Sequence, residues 1–130
     1  MKRQQISSGT PWESIAGYSR AIRVGNLVFV AGTTAADATG QIQHPNDPYG
    51  QVVYILRKIE SALQAVNAQL SDVVRTRVYV ANMDDWEQIA KGHHEFFHDI
   101  RPVNTMVEVS RLANSEMLVE IEVDVVVEDE

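Results

Sequence analysis

Three carboxylates stand at alternate positions of the segment LVEIEVDVVV, residues 118–127, where Glu120, Glu122 and Asp124 interleave with Val119, Ile121, Val123 and Val125. A strand with this period buries its apolar side chains on one face and projects its acids from the other. The acids can pair with basic side chains on a neighbouring strand, which contributes modestly to stability. Alternatively, one of them, held in a partly dry cleft, has its pKa raised and serves as a general acid/base. Glu120 is the candidate for that second use. Upstream, RPVNTMVEVSRL (residues 101–112) places Asn104 two residues after Pro102. An asparagine there offers one acceptor and two donors without charge.

A second pattern, HEFFH from His94 to His98, matches the zinc-protease motif in letters. Helix geometry argues against it. A buried stripe of Trp86, Ile89, Ala90, His93, Phe96 or Phe97, and Ile100 turns His94 and His98 toward the flank or solvent. No His or Cys follows to supply a third ligand, although carboxylates could, and the motif is read as a surface coincidence; no metal and no other cofactor is expected. His93 reads as a hydrogen-bonded histidine of the core or of an interface. The loop AGTTAADATG has no Walker lysine and no GxGxxG spacing, and no nucleophile elbow is present.

The chain has 130 residues, 45% of them apolar, with net charge -7 and pI near 5.0. This fits one domain spanning residues 1–130, with enough core to fold alone. The basic residues are scattered, which argues against nucleic acid as a partner, because phosphate binding needs a concentrated cationic surface. Cysteine is absent. The segment MKRQQISSGTPWESIAG lacks the apolar stretch of a secretion signal, and no run reaches bilayer length. The expectation is a soluble cytoplasmic protein, without membrane partners, whose Glu128-Asp129-Glu130 end is a solvated tail.

These residues must be positioned by local elements. Residues 1–16 read as an irregular arm with Trp12 and Ile15 docked on the body. Tyr18 to Val24 and Leu27 to Ala31 read as strands joined by Gly25-Asn26, a hairpin signal because both residues tolerate positive φ. Residues 32–46 form a loop. Asp47 caps a helix with Pro48 at its first position, and Val52, Leu56, Ile59, Leu63 and Val66 form its buried stripe. Asn67 suits a left-handed cap. Val73 to Ala81 is a strand, with Val74, Thr76, Val78 and Val80 on one face and Arg75, Arg77 and Tyr79 on the other. A second helix starts near Asp84, and the last two strands carry Asn104 and Glu120. The order ββαβαββ implies a two-layer α/β sandwich, with helices on one face of a mixed sheet. The other face, with Arg75, Arg77, Glu120, Glu122 and Asp124, suits cross-strand ion pairs or an oligomer interface.

The chain resembles the Rid (reactive-intermediate deaminase, YjgF-like) family over nearly its full length. The likeness is carried by Gly17-Tyr18, VGNLVFVAG from Val24 to Gly32, LSDVVRTRVYVANMDDW from Leu70 to Trp86, Glu95-Phe96-Phe97, and RPVNTMVEVSRL joined to LVEIEV. The resemblance implies a chorismate-mutase-like fold and a homotrimer with clefts between subunits. It also implies hydrolysis of small enamines and imines such as 2-aminoacrylate. Tyr18 matches the family's cleft tyrosine, Glu120 its water-positioning glutamate, and Gly32 a glycine that lets ligand approach backbone. The family's carboxylate-gripping arginine is replaced by Asn104, its cysteine by Met106, a small hydroxyl residue by Ala31, and an asparagine by Ala90. Losing that arginine would cost a buried substrate carboxylate roughly 3–5 kcal/mol, so 2-aminoacrylate is not the expected substrate. Arg20, two residues from Tyr18, and Arg101, before Pro102, are the candidate substitutes.

The expected activity is therefore water addition to a small C=N or enamine-like compound. Glu120 is the acid/base, Tyr18 an orienting hydroxyl donor, and Gly32, Thr33, Asn104 and Thr105 are substrate contacts. Two rival readings stand beside it. One is a non-catalytic binding or regulatory trimer, favoured if Glu120 is locked to Arg75 or Arg77. The other is a ribonuclease or translation inhibitor, which the charge balance disfavours.

Overall fold

In the computed structural model, which describes residues 2–128, the chain builds one six-stranded sheet and covers one face of it with helices. Asp129 and Glu130 of the expected tail lie outside the described residues. The elements are β1 (Arg3–Ile6), α1 (Pro11–Ala16), β2 (Ala21–Val24), β3 (Leu27–Thr33), α2 (Pro48–Gln64), β4 (Val73–Val80), α3 (Trp86–Phe97), β5 (Val103–Glu108) and β6 (Val119–Val126). Their order across the sheet is β1-β2-β3-β6-β4-β5, antiparallel except for the β4–β5 pair.

β6, last in sequence, lies between β3 and β4, and its alternation has the expected result. Val119, Ile121, Val123 and Val125 are buried, while Glu120, Glu122 and Asp124 stay partly accessible. Each such apolar side chain contributes about 1.5–3 kcal/mol when fully buried. The stripe of α2 packs over them, with Val52, Leu56, Ile59, Leu63 and Val66 all inaccessible. α2 starts as its sequence implies: Pro48 sits in the first turn and the Asp47 side chain accepts from the Gly50 amide at 2.9 Å. Asn67 takes φ 59° just beyond its end. Gly92 lets α3 approach α2, since a Cβ there would lie 2.8 Å from Val52 Cγ1. The Gly25-Asn26 hairpin joins β2 to β3 in register Val24↔Leu27, with Gly25 at φ 60°.

Several expectations need correction. Residues 1–16 are not an irregular arm: β1 pairs with β2 and α1 follows, closed by Gly17 in the left-handed region at φ 80°. β1 reads RQQI and is almost wholly exposed, so its pairing rests on backbone hydrogen bonds and leaves no apolar period to read. Trp12 docks on Ala36, Ile42 and Met117 as expected, but Ile15 is 82% exposed. Tyr18 and Arg20 precede β2, although Arg20 already bonds Ile6 and Ala31 through its backbone. A register shift between Val73 and Arg75 buries Val73 and turns Val74 outward, as a bulge reverses facing. Trp86 is 51% exposed because it opens α3, whose buried residues are Ile89, Gly92 and Phe97.

The uncovered sheet face carries an ionic ladder. Arg77 pairs with Asp124 at 3.3 Å and Glu122 at 4.0 Å, and Tyr79 donates to Glu122. Leu27, Phe29, Val74 and Val126 surround it as exposed apolar side chains. No helix among the described residues is long and apolar enough to cross a membrane.

Candidate functional site

Glu120, Tyr18, Arg20 and Gly32 converge on one cavity of about 200 Å³, whose other lining residues include Trp12, Thr34, Lys58 and Met117. Three elements meet there because β3 breaks register with β6 between Val30 and Thr33. That irregularity brings Gly32 beneath the Glu120 side chain, whose Cδ would lie 3.1 Å from a Cβ at position 32. Only a glycine leaves the carboxylate where it is. Burial pushes the Glu120 carboxyl above its usual range, while Arg20 opposes the shift and Glu122 reinforces it. Arg77 is committed to Asp124 and Glu122, so Glu120 is not locked into the outer ladder.

Arg20 is 5% exposed and heavily committed. Its Nη1 donates to Gly32 O at 2.7 Å and Thr33 Oγ1 at 3.1 Å, its Nη2 to the Tyr18 hydroxyl at 3.5 Å, and its Nε to Glu13 at 3.4 Å. Thus four of its five N–H groups serve the fold. Glu13, 4% exposed, also accepts from the Ser8 amide at 3.1 Å, the Ser8 hydroxyl, and Thr10 Oγ1 at 2.7 Å. Burial would raise its pKa, but hydrogen bonds from Ser8, Thr10 and Ser7 prevail and hold it down at about 2. Neither Glu13 nor Lys58 was singled out in the sequence. Lys58 reads there as an ordinary helix lysine, yet its Nζ donates to Thr34 O at 3.0 Å and Ala36 O at 2.6 Å. Burial, and then the nearby Arg20, lower its pKa to about 8.

The other expected contacts separate. Thr33 is fully buried, its hydroxyl donating to Ala31 O at 2.8 Å and accepting from Arg20, so Thr34 rather than Thr33 lines the cavity. Asn104 and Arg101 line a different cleft of about 400 Å³ between α3 and β5, with Ala90, His93, Phe97 and Met106. Arg101, at φ 53° with its amide bonded to Phe97 O, is exposed and stands away from Glu120. Thr105 points to the opposite face of β5 from Asn104, as strand alternation requires, and does not line this cleft.

Within the cleft, Asn104 Nδ2 donates to Thr76 Oγ1 at 2.9 Å, and Thr76 Oγ1 lies 2.9 Å from His93 Nε2. Burial lowers the His93 pKa, and the neighbouring His94 adds to the effect. His93 is thus a hydrogen-bonded, half-buried histidine, as its place in the helix suggested. His94 and His98 are exposed and border the same cleft, and no cluster of three metal-ligating side chains exists among the described residues.

Known proteins give the arrangement a context. The family profile described as Endoribonuclease L-PSP matches residues 9–127. A crystal structure of a member of the YjgF/YER057c/UK114 family from Mycobacterium tuberculosis superposes with a TM-score of 0.88 at 45% identity, covering 97% of this chain and 100% of that one. The 3-aminoacrylate deaminase RutC of Acinetobacter baylyi is 28% identical over 89% of this chain and 90% of its own. The 2-iminobutanoate/2-iminopropanoate deaminase of Dermatophagoides farinae is 28% identical over 95% of each. The mixed sheet and its helices match the chorismate-mutase-like fold of these neighbours.

Proposed function

The chain belongs to the Endoribonuclease L-PSP family, which includes the YjgF and RutC proteins, and from that premise we propose that it hydrolyses a small imine, enamine or related C=N compound. The observation that carries this reading is the Glu120 carboxylate, raised in pKa and seated over Gly32 in a cavity shared with Tyr18 and Arg20. Deaminase names among relatives support the reaction class.

The chemistry follows from the groups present. Glu120 takes a proton from water as its oxygen adds to the C=N carbon and passes that proton to the nitrogen, giving a neutral carbinolamine. In the collapse Glu120 takes the hydroxyl proton of the carbinolamine and gives it to the departing nitrogen, so that C=O forms and ammonia leaves. An enamine enters the same route after protonation at carbon. The Tyr18 hydroxyl accepts from Arg20, which leaves its own proton free to donate to substrate. Arg20 and Lys58 act through their field, since both are held by protein acceptors.

The same saturation supports a substrate other than 2-aminoacrylate. A bidentate grip on a carboxylate needs two free parallel N–H groups; Arg20 retains one, and position 104 is an asparagine. A homotrimer completes the site in this reading. Within one protomer, Glu120 and Asn104 line separate cavities, and subunit contact through the uncovered sheet face and the edge strand β5 would bring unlike halves together. The binding-only alternative is favoured by a Glu120 locked to Arg75 or Arg77; Arg77 pairs with Glu122 and Asp124, and no ion pair of Glu120 occurs among the described residues. A ribonuclease, which the family's description suggests, fits poorly with a net charge of -7.

The test is a coupled assay in which an amino-acid oxidase generates imines and semicarbazone formation reports their lifetime. Asn104→Arg should create or raise activity on amino-acid-derived imines. Added to Asn104→Arg, Glu120→Gln should lower the rate of loss of these imines by about 100-fold or more. A folded Asn104→Arg trimer with no gain, together with a Glu120→Gln variant unchanged in every property, would leave the binding-only reading.

A further inference from the structure

The cleft between α3 and β5 contains a chain of hydrogen bonds whose proton positions can be worked out. Asn104 presents its amide to two acceptors at once, Thr76 Oγ1 at 2.9 Å and Thr76 O at 3.5 Å. A carbonyl oxygen turned toward that backbone carbonyl would be repelled, so the NH₂ group faces inward. Thr76 is inaccessible to solvent, and its hydroxyl oxygen already accepts from Asn104. Its proton therefore goes to the other polar atom in reach, His93 Nε2 at 2.9 Å. His93 Nε2 is then the acceptor, and the ring carries its proton on Nδ1.

This assignment determines what the cleft offers a ligand. Asn104 spends its donors internally and presents only Oδ1, an acceptor; the residue is exposed and no described group donates to that oxygen. No buried side-chain polar atom among the described residues lacks a partner. His93 Nδ1 has none and so must meet solvent, as a donor. One acceptor and one donor, on side chains that meet at the same hydroxyl, belong to residues lining one cleft with Ala90, Phe97 and Met106. The lowered pKa of His93 keeps it neutral near pH 7, so the inner end of the cleft carries no charge. Arg101 remains at its exposed rim, where solvent screens it.

We infer that this cleft is a recognition site for a primary carboxamide, whose C=O accepts from His93 Nδ1–H and whose N–H donates to Asn104 Oδ1. The match is specific because a primary amide places a donor and an acceptor side by side on one edge. A carboxylate offers two acceptors and meets repulsion at Asn104 Oδ1, and a tertiary amide has no donor. The inference deepens the proposed hydrolase, and rests on it in taking this cleft as the far half of the same composite site. The substrate would then carry a carboxamide where related imino acids carry a carboxylate. His93 is a binding and specificity residue here, and Thr76 its positioning residue.

The test uses the full chain and stable probes at pH 7.5, with binding read from the ring-nitrogen NMR signals of ¹⁵N-histidine-labelled protein. Pyruvamide should bind and shift the His93 signals, whereas pyruvate and N,N-dimethylpyruvamide should each bind at least about 10-fold more weakly. Asn104→Leu and His93→Phe should each weaken pyruvamide binding by about 3- to 10-fold. His93→Asn, whose amide nitrogen stands where Nδ1 stood, should recover much of the loss. Pyruvate binding as tightly as pyruvamide, or pyruvamide binding unchanged in Asn104→Leu, would overturn the inference. Because the probes need no turnover, that failure is separate from the activity assay on Glu120→Gln, which tests the hydrolase reading alone.

Discussion

The Glu120 cavity and the α3–β5 cleft have opposite constructions. The first is ionic and closed: Glu13, Arg20 and Lys58 are buried in whole or part, and nearly every polar hydrogen they carry is committed to protein acceptors. The second has its one fixed charge, Arg101, at the exposed rim and an uncharged inner end, is built on an edge strand and a helix flank, and has polar atoms left over for a ligand. The contrast separates two tasks. A reacting carboxylate needs a surround that cannot rearrange while charge moves. A recognition surface needs unspent hydrogen-bonding capacity. Cations in a pocket are thus weak evidence for an anionic ligand until their protons have been counted.

That comparison can be broken experimentally. The largest effect is expected at Glu13, whose replacement by Ala strands the Arg20 guanidinium and should cost about 3–5 kcal/mol in urea denaturation. The acid limb of stability should show the same group. The folded-state pKa of Glu13, about 2, lies below its ordinary 4.5, so its contribution is complete above pH 4.5 and is lost as pH falls toward 2. Equal stability of Glu13→Ala and the parent protein would mean that the ionic region is not held as described. Next in size, Gly32→Ala should displace the Glu120 carboxylate and lower turnover by about 10-fold, with little change in melting temperature. A loss of stability without loss of rate would assign Gly32 to the fold instead. The smallest effect belongs to the α3–β5 cleft. The His93 pKa is lowered in the folded state, so its contribution is present above the unfolded value of 6.5 and is lost as pH falls below it. Comparing stability between pH 7.5 and pH 5.5 in the parent and His93→Phe isolates that term, and identical slopes would remove it.

Much of the frame was readable in one dimension because it rests on local periods and caps. The alternation of β6, the stripe of α2, the Asp47-Pro48 start and the Gly25-Asn26 hairpin each carry their cause within a few residues. Tyr18, Gly32 and Glu120 were also expected to share a site, from resemblance rather than from spacing, and they line one cavity. What escaped depends on partners distant in sequence. β1 is held by a neighbour's backbone, and the outward turn of Val74 follows from a register shift invisible in VVRTRV. Glu13, in a segment with no helical period of its own, and Lys58, on a helix, give no sign of a partner until Arg20 and the residue 34–36 loop fold against them. Asn104 and Glu120 were expected to meet in a cleft between subunits, and within one protomer β4 lies between their strands.

Gly92 touches neither candidate ligand surface, yet it determines how far apart the walls of one of them stand. Because a side chain there would strike Val52, any larger residue must lift α3 from α2, and His93 travels with it while Asn104 stays on the sheet. The gap between donor and acceptor is thereby adjustable from a position outside the cleft. New ligand preferences can arise through a helix that shifts as a unit, with the reacting carboxylate on β6 left undisturbed.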